Sequence, residues 1–246
     1  MGRFDGKRVL ITGGTSGIGL AGARRLAAEG GSVVLTGTDE QRLAAAREEL
    51  PGAEVVADDA SRPESGEVLG EVVDRLGGGL DGLWLNAGYA DVSDVDEVDA
   101  EFFDRMVRAN VRGPVLQLAR LAGRLNDGAS VVVTSSTATY EGAAFASVYA
   151  ATKGALVSLA RSWATSLAPR GIRVNALVPG AIGTPFRDFM PEPQRVEFER
   201  NVTSRVPLNR VGTAEEAAAV ALFLLSDDAT YVTASQYFAD GGLTEH

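Results

Sequence analysis

The stretch RVLITGGTSGIG, residues 8–19, decides how this chain is read. Arg8–Thr12 is a short, continuous apolar run of the kind that forms a strand buried on both faces. Glycines begin directly behind it, and a helical pattern opens at Gly17 and continues to Glu29. Strand, glycine turn and helix in that order make the first βα unit of a dinucleotide-binding sheet. Gly13 permits the turn, Gly17 lets backbone approach a pyrophosphate, and Gly19 lets the helix pack close to the sheet. The start of the helix adds N–H donors and a partial positive charge. Gly13, Thr15, Ser16, Gly17, Ile18 and Gly19 are therefore the phosphate-side candidates. An ordinary strand–helix turn is the plain alternative, and the place of this turn in the first βα unit favours nucleotide binding.

Outward from this unit, the same alternation repeats. Ser32–Thr36 is a second strand, followed by a helix over about 40–50. Ala53–Ala57, Leu80–Asn86, Ser130–Thr134 and Arg173–Val178 give four more strands. Short apolar strands separated by helices predict an α/β, Rossmann-type doubly wound parallel sheet with helices on both faces. No linker, composition break or repeat interrupts it, so residues 1–246 read as a single domain. Thr213 with Glu216 fits a capping box opening a helix over Ala214–Leu225. The acidic run 91–99 fails as a calcium loop, because Val95 stands at a ligand position and no glycine makes the turn; it reads as a solvated loop.

Composition closes several doors. The 246 residues carry a net charge of −10 and are 45% hydrophobic, enough for a sizeable core. Glycine accounts for 29 of them, without a collagen period. There is no cysteine, and the one histidine, His246, is the last residue. Disulfides, thiolate chemistry, a Ser-His-Asp triad and a His-ligated metal are thereby disfavoured, and no metal site is expected. The acidic balance argues against nucleic acid and anionic membrane surfaces as partners. The longest apolar run, Ala217–Leu225, is about half of what a membrane helix needs. With no signal-peptide layout at the start, a cytoplasmic protein is the expectation.

Further along lie Asn86-Ala87-Gly88 behind the fourth strand, Asn110 with Val111, Gly113 and Pro114, Ser135-Ser136 at the end of the fifth, and Tyr149-Ala-Ala-Thr-Lys153. Pro179-Gly180-Ala-Ile182-Gly-Thr184-Pro185 and Asp240-Gly241-Gly242 follow. Together with Thr12-Gly13…Gly17-Ile18-Gly19, this set resembles the classical short-chain dehydrogenase/reductase family over essentially the whole chain. One departure is Leu85, where the family usually carries an asparagine. The resemblance implies an NAD(P)-dependent enzyme moving a hydride between nicotinamide and a ketone or secondary alcohol. The working label is a 3-oxoacyl-carrier-protein reductase or general carbonyl reductase. An NAD-dependent secondary-alcohol dehydrogenase and a non-catalytic dinucleotide sensor are the alternatives, and an intact Asn110, Ser136, Tyr149 and Lys153 set argues against the sensor.

Tyr149 and Lys153 are one helical turn apart and reach the same side. A free phenol titrates near 10, and an adjacent ammonium favours the phenolate. Lowering it by about three units takes about 4 kcal/mol, within reach of a desolvated lysine plus a cationic nicotinamide. Ser136, at a strand's carboxyl end, can donate to a carbonyl oxygen as charge develops. By resemblance, Asn110 positions a water that relays protons to Lys153. Asn86, Ala87, Gly88, Pro179, Gly180, Ile182 and Thr184 are further cofactor contacts, and Asp58, with Asp59 beside it, is the adenine-side candidate.

Cofactor choice turns on the end of strand two. Gly37 occupies the place of the acid that binds ribose hydroxyls in NAD-preferring folds. Gly37 leaves room for a 2′-phosphate, Thr38 can bond it and Arg42 can reach it. The reading leans to NADP(H), with Asp39 keeping NAD(H) open. Residues 183–210, carrying Phe186, Phe189, Met190 and Phe198, turn irregular, and the resemblance makes them a substrate lid. The five arginines there (187, 195, 200, 205 and 210) read as solvated charge, with an anionic substrate only a weak alternative. Helices over Val148–Leu167 and Asn110–Leu125 lack a broad charged face, which favours burial on more than one side. Family resemblance turns that into a two-fold contact within a homotetramer.

Overall fold

The computed structural model describes residues 2–188 and 190–244, the side chains of Arg187 and Gln194 excepted. In chain order the elements are β1 (Arg8–Ile11), α1 (Gly17–Ala28), β2 (Ser32–Gly37), α2 (Glu40–Glu49), β3 (Glu54–Ala57) and α3 (Ser65–Arg75). Next come β4 (Leu80–Leu85), α4 (Ala100–Val107), a π turn (Arg108–Arg112), α5 (Gly113–Leu121) and β5 (Leu125–Thr134). The chain continues through α6 (Ala138–Glu141), α7 (Ser147–Leu167), β6 (Arg173–Pro179), α8 (Glu192–Arg205), α9 (Ala214–Leu225) and β7 (Gln236–Ala239).

Among the described residues seven strands form one parallel sheet, in the order β3-β2-β1-β4-β5-β6-β7. The strands are apolar along nearly their whole length because helices cover both faces. One layer packs Leu69, Val73, Leu118, Leu121, Leu156 and Ala160 of α3, α5 and α7 against the sheet. The opposite layer uses Ala23, Leu26, Ala46, Ala221 and Leu222 of α1, α2 and α9. The winding reverses between β1 and β4, and a cleft opens beyond their carboxyl ends, as this topology requires.

Caps fix where several helices start. Asp39 accepts from Arg42 N at 2.8 Å, and Asp99 from Phe102 N at 2.7 Å. The capping box is present, with Thr213 Oγ1 accepting from Glu216 N and the Glu216 carboxylate accepting from Thr213 N. The acidic run 91–99 lies outside regular structure and is largely exposed, Asp99 excepted in function as a cap. The continuous helix expected over 110–125 is instead broken into the π turn, α5 and a 3-10 turn, and Leu125 already begins β5. Pro114 accounts for the first irregularity, at the π turn: it has no N–H to give the Asn110 carbonyl four residues back.

A buried arginine ties the far end of the sheet together. Arg173, 8% exposed, donates to the carbonyls of Leu224 and Ser226 at 2.8 and 2.9 Å. Replacing it with leucine leaves both carbonyls without that donor. We expect Arg173→Leu to cost about 3 kcal/mol in urea denaturation, against about 1 kcal/mol for Thr213→Ala at the exposed cap. Equal, small losses in the two variants would overturn this account.

Candidate active site

The cleft at the strand ends has a volume of about 540 Å³. Its floor is built by one asparagine. Asn86 Nδ2 donates to the carbonyls of Thr12 and Gly13, both at 3.2 Å, while its Oδ1 accepts from the Thr134 hydroxyl at 3.1 Å. Thr12 Oγ1 in turn accepts from the N–H groups of Asn86 and Ala87 at 3.0 Å, and Trp84 Nε1 donates to Thr134 Oγ1 at 2.9 Å. The Asn86 side chain is thus spent on joining β1, β4 and β5. Leu85, where a second asparagine was the familiar choice, is buried in the apolar core.

Helix α7 delivers Tyr149 and Lys153 to this floor. Lys153 is 2% exposed, and its Nζ donates to the Thr134 carbonyl at 2.9 Å. That ammonium lies 5.8 Å from the centre of the Tyr149 ring. Burial pushes the Lys153 ammonium down to about 8, because desolvation disfavours its charge. The Ser135 hydroxyl donates to the Lys153 carbonyl at 2.9 Å and holds α7 against β5. Ser136 lines the cleft, its Oγ accepting from Ala138 N at 3.2 Å. Phe186 lies over Tyr149, ring centres 6.2 Å apart.

Asn110 sits behind this group, fully buried in the π turn. Its Oδ1 accepts from Tyr89 N at 2.7 Å, and its Nδ2 donates to Tyr89 O and Thr152 Oγ1 at 2.8 and 3.0 Å. The side chain therefore braces the loop after β4 against α7. Its backbone carbonyl finds no N–H at Pro114, four residues on.

At the opposite end, the cleft is lined by Gly37, Thr38, Asp39, Arg42, Asp58 and Asp59. The expected room beside Gly37 is already filled: a Cβ there would stand 2.3 Å from Thr15 Oγ1. Glycine at 37 is thus demanded by packing against Thr15, and the open space lies beside Thr38 and Arg42. Half-buried Asp58 is raised to about 6, chiefly by burial, opposed by a hydrogen bond from Ser65.

Of the candidate residues, Gly13, Thr15, Ser16, Gly17, Ile18, Ala87, Gly88, Pro179, Gly180, Ile182 and Thr184 also line this cleft. Gly19 does not; it lies against the Gly13 carbonyl beneath the loop. Sequence reading missed Tyr89, Arg105, Arg108 and Ala109, which reach the cleft from the loop after β4, from α4 and from the π turn. Tyr89 follows Gly88 directly and was findable by adjacency; the others carry no motif. Phe189 and His246 lie outside the described residues. Among the arginines of 183–210, Arg195 pairs with Asp188 at 3.3 Å, Arg205 with Glu141 at 3.2 Å and Arg210 with Glu216 at 2.6 Å. These pairings support structural charge there over an anionic substrate.

The geometry fits a dinucleotide. No side chain caps the start of α1, so its first N–H groups are left for an anion. Backbone glycines and small side chains line the middle of the cleft, and a buried ammonium with a phenol waits at one end. The described helices include none long and apolar enough to cross a membrane.

Comparison with known proteins agrees with this reading. A sequence model described as enoyl-(acyl carrier protein) reductase matches residues 13–244. Glucose 1-dehydrogenase of Gluconobacter oxydans is 37% identical over 251 residues, covering 98% of this chain and 93% of that protein. Levodione reductase of Leifsonia aquatica is 38% identical over 255 residues, covering 98% and 95%. A crystal structure of a short-chain dehydrogenase from Burkholderia cenocepacia in complex with NADP superposes with a TM-score of 0.90 at 30% identity, covering 98% of this chain and 99% of that one. With its fold, its cleft and these relatives in agreement, the chain belongs to the short-chain dehydrogenase/reductase family and is an NAD(P)-dependent oxidoreductase acting on alcohol or ketone groups.

Proposed function

We propose that this protein is an NADPH-dependent carbonyl reductase of 3-oxoacyl type, with Tyr149 as the proton donor. The observation that carries this reading is the buried Lys153 ammonium, 5.8 Å from the Tyr149 ring at the floor of the cleft. Reduced nicotinamide, when bound, supplies the hydride to the carbonyl carbon. The carbonyl oxygen takes its proton from the Tyr149 hydroxyl while Ser136 donates a hydrogen bond to the same oxygen. Lys153 steadies the phenolate that remains. The Asn110 carbonyl, to which Pro114 gives no N–H, holds the water through which the proton is replaced. Residues 183–210 act as the lid, with Phe186 closing over Tyr149 and excluding water.

Tyr149→Phe should lower kcat at least about 100-fold while leaving NADPH affinity nearly unchanged. Since the lysine is an ammonium below about 8 and an amine above it, ketone reduction should weaken as pH rises through that value. Activity within a few-fold of wild type in the phenylalanine variant sinks the assignment.

The preference for NADPH is supported by a change in the standing of Asp39. Its carboxylate is committed to the N-terminus of α2, at 2.8 Å from Arg42 N, which leaves Thr38 and Arg42 facing the space beside the ribose. Fluorescence titration should show modestly tighter binding of NADPH than NADH, and Arg42→Ala should narrow the gap. Clearly tighter binding of NADH reverses this part of the proposal.

Assembly as a homotetramer, through a two-fold contact of the helices at 110–125 and 148–167, is supported by what α7 and the neighbouring α4 leave uncovered. Phe103 is 47% exposed, and Ala151, Ser158 and Ser162 form an exposed face of small residues on α7. A two-fold mate covers that face. Light scattering at micromolar concentration should report about four times 25.7 kDa; a stable monomer refutes the reading.

A further inference from the structure

We propose that Ser65 and Gln117 are positioning residues for the cofactor: they fix Asp58 as an acceptor for the exocyclic amino group of an adenine ring. The proposal rests on the dinucleotide reading above and concerns residues that the motifs do not reach. Gln117 Nε2 donates to Ser65 Oγ at 2.8 Å, and Ser65 Oγ donates to Asp58 Oδ2 at 2.8 Å. Gln117 is fully buried and Ser65 is 2% exposed, so solvent does not compete for either bond.

The polarity of this relay is forced. A hydroxyl carries one proton and two lone pairs. With the amide N–H of Gln117 on its oxygen, Ser65 turns its own proton onto the carboxylate. Asp58 Oδ1 has no partner among the described residues, and the side chain lines the cleft. An ionised carboxylate accepts only, so the ligand group it recognises must be a donor. The 6-amino group of adenine is such a donor. A 6-oxo purine presents an acceptor at the same place and leaves the carboxylate unmatched.

The end of the π turn and the start of α5 brace the same loop once more each. The Arg112 guanidinium donates to the Ser61 carbonyl. Gly113 approaches so closely that a Cβ there would stand 2.3 Å from the Ala60 carbonyl oxygen. The loop 58–65 is therefore held by contacts that do not involve Ser65, which lets the relay be tested without dismantling the loop.

The test compares NADPH with its 6-oxo analogue, reduced nicotinamide hypoxanthine dinucleotide phosphate, by fluorescence titration of the intact protein. Wild type should bind NADPH about tenfold more tightly, as expected for a hydrogen bond to a charged acceptor. Ser65→Ala should bring NADPH to within about twofold of the analogue while the analogue's own affinity stays put. Ser65→Thr, which keeps the hydroxyl, should retain the preference, and Gln117→Met should fall between. Equal weakening of both dinucleotides by Ser65→Ala makes the role structural and overturns the proposal. So does an unchanged preference in that variant, or equal affinities in wild type. If NADH binds far better than NADPH, the phosphate reading fails alone, and the same comparison decides the relay with NADH and its 6-oxo analogue. Absence of binding by any of these dinucleotides overturns both.

Discussion

An ammonium is held at the floor of the cleft with a neutral carbonyl as its hydrogen-bond partner. Lys153 donates to Thr134 O, and no carboxylate pairs with it among the described residues. Taking such a charge out of water costs several kcal/mol unless the surroundings compensate. The fold meets that cost locally. Leu156, Val157, Ala160 and Ala164 bury one side of α7, and β5 and β6 run in register beneath it. Ser135 bonds the helix backbone at the lysine itself. Loop 86–89 closes the other side, where a Cβ on Gly88 would stand 3.0 Å from Nζ. The depressed affinity of Lys153 for its proton is the residue of this compromise, and it makes the group responsive near neutral pH.

Two ends of the cleft follow different physical rules. At the Lys153 end, Tyr149, Ser136 and Phe186 gather around a buried ammonium, whose interactions burial strengthens. At the far end the side chains of Thr38, Asp39, Arg42, Asp58 and Asp59 are polar and partly open to water. Selectivity at such an end depends on matching donors with acceptors. The glycine turn after β1 connects them, with Gly13 and Gly17 both at positive φ.

Much of this was legible in the sequence because parallel strands covered on both faces must be apolar throughout. RVLIT, SVVLT and SVVVT announce themselves for that reason. β7 does not: QYFA is four residues long, opens on a glutamine and is half-buried at every position. Helix α3 is masked by glycines at 66 and 70, which face Leu116 and Arg124 closely and are chosen for approach rather than propensity. The shared side of Tyr149 and Lys153 was legible too, since one helical turn between them brings both to one face of α7. The work of Asn86 and Asn110 was not legible, because spacing does not say whether an amide faces a ligand or its own backbone. Nor could Gly37 be interpreted alone: its neighbour in space, Thr15, is 22 positions away in the chain.

The π turn at 108–112 holds one residue more than an α-helix would need over the same path. Asn110 lies within it, and Arg112, Gly113 and Gln117 follow on the same continuous backbone. Deleting one residue to restore regular winding would turn everything downstream by about 100° relative to Asn110. Arg112 and Gln117 would then swing away from Ser61 and Ser65, and the close fit of Gly113 on Ala60 would be lost. The extra residue therefore acts as a phase setter along one helical rod. It keeps the group behind the tyrosine and the groups behind Asp58 facing their separate targets, so the length of this segment is constrained more tightly than its composition.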